Sequence, residues 1–459
     1  MSGAKSLAIG FIFYSAAAFG LESATDSAVD SSVNSSVNSS IRMSFEAFFE
    51  AAQKSGVQLK SQEAQVSYSE AREDSVRANY FPSVQLDLIA GPAPELRGNA
   101  LNSETDWSNW SIAYKGEIQI VQPLLHWWTV DKGIRAAKLA TSAEKGVLEK
   151  DRLALRYEVG KYYYGYQFAF EMRELAEEAG DQLKKALASG EERRRKKASG
   201  APSLGDLDRL KGFIAEADVR KAEAQKGIDS ARMAMSWKLG SLGSEPLRWD
   251  RANLEESNRE IPKLEKLLES AKTQRPELKA LADEEEARKL KAEVEEAKMS
   301  PNLYAGLQAS YARASNRDDQ TSAFSNDPFN KTDVLFGIGL RWNFLSAGQR
   351  AEASMARAEW RKAEAKNLYL KMGLLAEVEQ KLRELSFNHE RRILRKDALA
   401  ASDRVFRDAY SAFFFESGKA KDLLEVMGEN VMAKKNYFEA VYDENLAWVA
   451  LEQVTASRF

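Results

Sequence analysis

The chain of 459 residues contains no cysteine. That excludes disulfides, thiolate metal sites, cysteine nucleophiles and lipid attachment through an N-terminal cysteine. Histidine is nearly absent as well, and the two that occur, His126 and His389, sit in no metal-ligand spacing. No nucleophile–base pair, metal motif or phosphate-cradling glycine loop appears, so the chain does not read as an enzyme and no cofactor is expected. The net charge is -3 with 29% charged residues, which indicates neither a nucleic-acid footprint nor an acidic tail. Beyond the N-terminus no apolar run approaches the roughly 20 residues of a spanning helix.

The N-terminus itself has Lys5, an apolar run from Leu7 to Phe19 and the small residues Ala16, Ala17, Ala18 and Gly20. This order of charge, grease and small side chains is that of a cleaved secretory signal, read over 1–20. Residues 21–41 are rich in Ser and Asn and read as a flexible leader. The mature chain is therefore expected to be exported without a helical anchor.

What is present is alternation. In 332–345 Val334, Phe336, Ile338, Leu340, Trp342 and Phe344 share one parity, while Gly337, Gly339, Arg341 and Asn343 take the other. In 302–313 Leu303, Ala305, Leu307, Ala309 and Tyr311 oppose Gly306, Gln308 and Ser310, and a polar loop over 314–331 separates the two segments. Period two with unlike faces predicts a hairpin, and strands of about ten residues with one apolar face suit a wall between lipid and water. A second hairpin of the same design is expected over 83–122. Its strands are 83–91 and 111–122, and a loop between them carries Trp107 and Trp110.

Helical sequence fills the rest. Proline is missing from 130–197 and again from 347–415, and at about 1.5 Å per residue either stretch predicts a helix approaching 100 Å. Breaks at 199–205 and 416–421 each precede a further helix. Pro301 follows Pro82 by 219 residues and Gly418 follows Gly200 by 218, which marks a tandem duplication with repeats 42–250 and 251–459. Each repeat reads as helix, hairpin, long helix, turn, helix. Four strands cannot close a membrane barrel, so copies must pool them, eight in a dimer or twelve in a trimer. Small residues such as Ala351, Ala353, Ala356 and Ala363 permit close packing of a curved helical wall.

Several segments resemble the outer membrane factors, the TolC-like channels of Gram-negative exporters. They are the strand openings Phe81-Pro82-Ser83 and Ser300-Pro301-Asn302, the segment Arg275-Pro276-Glu277-Leu278, the closing stretches VQPLLHWW and LRWNFLSAGQRAEASMARAEW, and SGAPSLGDLDRLKG with its counterpart ESGKAKDLLEVM. The resemblance covers about 42–457. It implies an α+β membrane protein in which each protomer gives four strands to a trimeric 12-stranded β-barrel, continued by a long α-helical periplasmic barrel. It also implies a homotrimer set in outer membrane lipid, docked by a periplasmic adaptor and an inner membrane transporter and gated at its periplasmic helical tips. The competing expectation is a periplasmic coiled-coil tethering protein.

The resemblance assigns gate or lumen roles to Asp206, Asp422 and Glu425. Asp206 equally fits a capping box with Ser203, and Asp422 and Glu425, at i, i+3 spacing on one face, equally fit a solvated helix. Lys419 and Lys421 flank this second site and are expected to neutralise its charge or form salt bridges in a closed state. Gly200 and Gly418 are expected in left-handed or tight turns, with Ser199, Ala201, Ser417 and Ala420 exposed for adaptor contact. Trp107, Trp110, Trp127, Trp128 and Trp342 fit membrane-interface belts, with core packing as the other reading of Trp342.

Overall fold

The structure is a computed structural model, and it describes residues 44–99, 102–124, 127–198, 200–240, 253–318, 327, 329–344, 346–415 and 418–459. The expected signal and leader, Ser199 and Ser417 lie outside these residues, as do the side chains of Trp127 and Trp128.

The first repeat opens with α1 (Phe45–Ser55) and α2 (Val57–Arg77), followed by β1 (Ser83–Asn99) and β2 (Asn102–Pro123). It continues with α3 (Trp127–Arg195) and α4 (Leu204–Lys238). The second half runs through the same order: α5 (Leu264–Gln274), α6 (Pro276–Ala297), β3 (Asn302–Ala314), β4 (Lys331–Arg341), α7 (Ala347–Phe414) and α8 (Ala420–Thr455). The single helix expected at the head of each half is two helices. In the first half Gly56 makes the break, since a Cβ there would sit 2.6 Å from the carbonyl oxygen of Ala52. In the second half the break falls before Pro276, which occupies the first turn of α6, the position where a missing N–H costs nothing.

The four strands form one antiparallel sheet in the order β1-β2-β3-β4. Two strand boundaries differ from expectation. β1 and β2 continue through the supposed loop, so Trp107 and Trp110 lie on β2. Pro92 and Pro94 are accommodated because β1 ends the sheet, where a missing donor is tolerated, and a register shift follows between Pro94 and Glu95. β4 stops at Arg341, whose partner Asn302 is the first residue of β3. Trp342 and Phe344 therefore lie just past the strand.

The helices lie side by side. Near the sheet α2 flanks α3, which packs on α6, which packs on α7; further away α4 flanks α3, and α8 lies between α3 and α7. Alanine and glycine set the spacing, as where Ala353, Ala356 and Ala363 of α7 are buried. Three cores follow: Phe48, Leu59, Val159 and Met235 around α1–α4, Leu267, Leu385 and Trp448 around α5, α7 and α8, and a third at the far end. Residues 253–263 run along the second half and touch the first, where Leu254 N donates to Glu171 Oε1 at 3.3 Å. Glu256 accepts from Lys396 at 2.8 Å and pairs with Arg392 at 2.5 Å, while Arg259 reaches Glu452 at 2.7 Å.

A close helix approach lies between α3 and α6. A Cβ on Gly146 would fall 2.6 Å from the Ala280 Cβ and 3.0 Å from the Pro276 carbonyl oxygen. In an unconstrained helix Gly→Ala stabilises by up to about 1 kcal/mol. Here the sign should reverse: Gly146→Ala is expected to destabilise by about 1–3 kcal/mol through overpacking. Thermal unfolding in detergent would read this as a lowered Tm, and a raised Tm would contradict the packing.

Candidate functional site

Two surfaces stand out, the faces of the sheet and the end of the helices farthest from it. On the sheet, register converts alternation into rows. Val84, Ile120, Leu307 and Phe336 are mutual neighbours across all four strands, and so are Leu86, Ile118, Ala309 and Val334. The opposite face carries Gln85, Gln119 and Gln308 in one row and Asp87, Glu117, Ser310 and Asp333 in the next. Lys115 pairs with Glu117 at 2.6 Å and Lys331 with Asp333 on this polar face. Ile89 and Leu335 interrupt its polarity. The apolar face has no cover: Leu88 is 74% exposed and Phe336 72%. Such a face is stable only against an apolar medium or partner.

Of the expected belt residues, Trp107 and Trp110 are exposed on β2, with ring centroids 5.9 Å apart, and the Trp110 Nε1 donates to the Trp107 carbonyl. Trp342 is half exposed rather than core-packed, and its Nε1 donates to the Met299 carbonyl at 3.0 Å. A ring with an apolar body and an anchored polar edge suits a water–lipid boundary.

At the far end the two turns meet. α3 closes with Lys197 in the left-handed region at φ 51, where Lys197 N donates to Arg194 O and Ala198 N to Arg193 O. These two bonds form a helix C-cap usually made with glycine. Gly200 follows at φ 76. α4 then starts at a reciprocal capping box: the Asp206 amide donates to the Ser203 hydroxyl, and Asp206 Oδ2 accepts from the Ser203 amide at 3.1 Å. The Ser203 hydroxyl, donating to the carboxylate at 2.7 Å, holds the Asp206 pKa below the usual aspartate value. A depressed pKa adds stability that is present above the unfolded pKa and is lost as pH falls through the folded one. Asp206 thus performs the capping task anticipated for it.

In the second turn Gly418 is required by proximity, since a Cβ would lie 3.0 Å from the Phe413 amide nitrogen and 3.1 Å from the Ala412 carbonyl carbon. Asp422 and Glu425 are both exposed on α8, opposite buried Leu423 and Leu424. Lys419 and Lys421 are exposed too, and no ion pair joins them to Asp422 or Glu425 among the described residues. Ala201 is half-buried, and Ala420 is buried in the tip core at 4% exposure, which withdraws it from direct contact. Its methyl faces inward because α8 begins there and must seal its first turn.

The residue that joins the turns is Arg193, which sequence reasoning did not single out. Its side chain is buried, Nη1 donates to Phe413 O at 3.0 Å, Nη2 donates to Gly200 O at 2.8 Å, and the guanidinium lies 5.6 Å over the Phe413 ring. Within the run Arg193–Lys197 only spacing marks it, as the basic residue one turn behind Lys197. Phe413 is 1% exposed among Leu207, Leu210, Leu423 and Met427. Of the three consecutive aromatics Phe413, Phe414 and Phe415, Phe413 thus cements the helix pairs, while Phe415 is exposed.

Comparison with known proteins follows this geometry. Residues 49–241 match the model of the outer membrane efflux protein family. The fold is that of the outer-membrane channel OprN, with TM-score 0.74 and 16% identity over 90% of this chain and 89% of that one. The Campylobacter jejuni CmeC outer membrane channel gives TM-score 0.73 and 14% identity over 90% of this chain and 85% of that one. The open state of the Neisseria gonorrhoeae MtrE outer membrane channel gives 0.72 and 14% over 90% and 89%. No curated protein matches the sequence. The family match thus covers the first half of the chain, and nine-tenths of the chain has the fold of outer-membrane channels.

Arg193→Ala should leave the buried Phe413 carbonyl unpaired and free the Gly200 carbonyl, at a cost of about 1–3 kcal/mol. Arg193→Lys should not restore the loss, because one ammonium cannot serve both turns in the geometry of a fork. Limited proteolysis should cut both variants at 196–202 faster than the parent, and equal cutting would remove Arg193 from its role.

Proposed function

We propose that three copies of the chain assemble into a passive duct through the outer membrane. Four strands from each close a 12-stranded barrel, and the helices continue it into the periplasm. The observation that carries this reading is the pair of apolar rows spanning all four strands, backed by a polar face and bounded by two unpaired edges. In lipid an open edge leaves backbone groups without partners, so β4 of one copy must meet β1 of the next. The helices carry matching edges. α7 bears exposed Leu368, Met372, Leu375 and Phe387 on one side, and α4 bears Phe213, Met233 and Trp237 on the other.

The duct needs no catalytic group and no cofactor, and transport is powered elsewhere. A periplasmic adaptor and an inner membrane transporter are the partners this reading requires, with the two turns as the docking and gating end. Asp422 and Glu425, tripled by the symmetry, contribute carboxylates there, tempered by Lys419 and Lys421. Small molecules and polypeptides are both admissible cargo.

Two substitutions on opposite faces test the assignment. Phe336→Arg places a charge against lipid and should cost about 2–4 kcal/mol of membrane stability. Gln308→Arg, one row away on the polar face, should fold and conduct. The purified protein should require detergent and form conducting pores in planar bilayers. A monodisperse, detergent-free protein without conductance would favour the tethering reading instead.

A further inference from the structure

At the end of the sheet nearest the helices, the polar face holds a cation that no carboxylate answers. Arg341, the last residue of β4, is the cross-strand partner of Asn302 and shares its face with Gly337, Gly339 and Tyr304. Its guanidinium lies over the Tyr304 ring, 5.4 Å from the centroid. Tyr304 in turn lies across Gly339, where a Cβ would fall 2.5 Å from the ring, so glycine is what lets the ring lie down on the neighbouring strand. Arg341 is exposed and has no ion pair among the described residues. A guanidinium stacked by its face keeps the N–H edge in its plane free for an oxyanion.

Nothing else on that face of the chain cancels the charge. The carboxylates of Asp87, Glu117 and Asp333 share one row across the strands. From Asp333 to Arg341 the distance along β4 is about 26 Å, well beyond the Debye length of about 10 Å at 0.1 M salt. The rows between, through Gln308 and Leu335 and through Gly306 and Gly337, carry no charge. The helical wall below continues the bias. α2, α3, α6 and α7 together line a cavity of about 850 Å³, which side-by-side helices can share only on the concave side of their wall. The carboxylates lining it are taken: Glu277 and Glu377 by Arg275, Glu284 by Lys366, Glu295 by Lys298 and Glu144 by Gln62. Arg72 and Lys150 line it too, and neither has an ion pair among the described residues.

We infer that Arg341, stacked on Tyr304 over its glycine seat, is an oxyanion-binding site on the inner wall where the barrel meets the helices. Repeated in each copy it forms a ring of guanidinium edges, an arrangement that favours phosphate- or carboxylate-bearing solutes as cargo. This inference deepens the proposed function and rests on it, because the polar face is a lumen only if the chain is a duct. Arg341 makes the contact, and Tyr304 and Gly339 are positioning residues that act through it.

The test is channel block by the purified full chain in planar bilayers at low salt, with inorganic tripolyphosphate and, separately, citrate as probes. Each should block the parent, and Arg341→Gln should weaken that block by about tenfold or more, the worth of a hydrogen bond to a charged group. The same variant should move the reversal potential in a KCl gradient toward that of K⁺. Arg341→Lys should recover the potential but only part of the block, since an ammonium has no fork. Tyr304→Leu keeps the charge and removes its seat, so it should hold the parental potential while losing block several-fold, and with Arg341→Lys it decides the matter if Arg341→Gln inserts no channels. Block by one probe alone would assign the site to that class of oxyanion. Block by neither probe in the parent, or parental block in Arg341→Gln or in Tyr304→Leu, would overturn the inference while leaving the duct intact. Absence of any conductance in the parent would overturn the duct reading and this inference together.

Discussion

The structure depends on the hydrogen-bonding demand of two strand edges that have nothing to pair with. β1 and β4 end a four-stranded sheet whose apolar face belongs in lipid, and lipid offers no water to satisfy backbone donors and acceptors. On the proposed reading, association is therefore a condition of the fold rather than an addition to it. Each repeat supplies one hairpin, and β2 pairs with β3 to join the two halves within the chain.

The helices inherit this arrangement. Because each long helix leaves the sheet beside its strand, α3 and α7 run side by side through α6 near the sheet and through α8 beyond it. Wall curvature needs close approach, which Gly146 against Ala280 provides. At the far end Arg193 holds the two turns together, bridging Gly200 and Phe413 with two hydrogen bonds. Between these ends the ion pair of Arg156 on α3 with Glu452 on α8 crosses the halves.

Much of this was legible in the sequence for definite reasons. Alternation in 302–313 and the constant offset between Pro82 and Pro301 survive translation into structure because strand faces and repeat lengths are local properties. The Asp206 capping box was legible because it spans only four residues. The extension of β1 through Pro92 and Pro94 was not, since it depends on β1 lying at the end of the sheet. Arg193 was hidden in a run of five basic residues that reads as solvated, and its burial is set by Phe413, 220 residues away. Gly418 was expected to matter, and its reason proved to be contact with Ala412 and Phe413.

Pairing of β1 from one copy with β4 of another is the central claim, and covalent trapping in the cysteine-free chain tests it most directly. Gln85→Cys on β1 would be combined in turn with Asp333→Cys, Leu335→Cys and Gly337→Cys on β4, all on the polar face, and oxidised in detergent. The account predicts that at least one pair gives bands of two and three linked chains and none beyond three. Only single chains from every pair, or a ladder continuing past three, would contradict it.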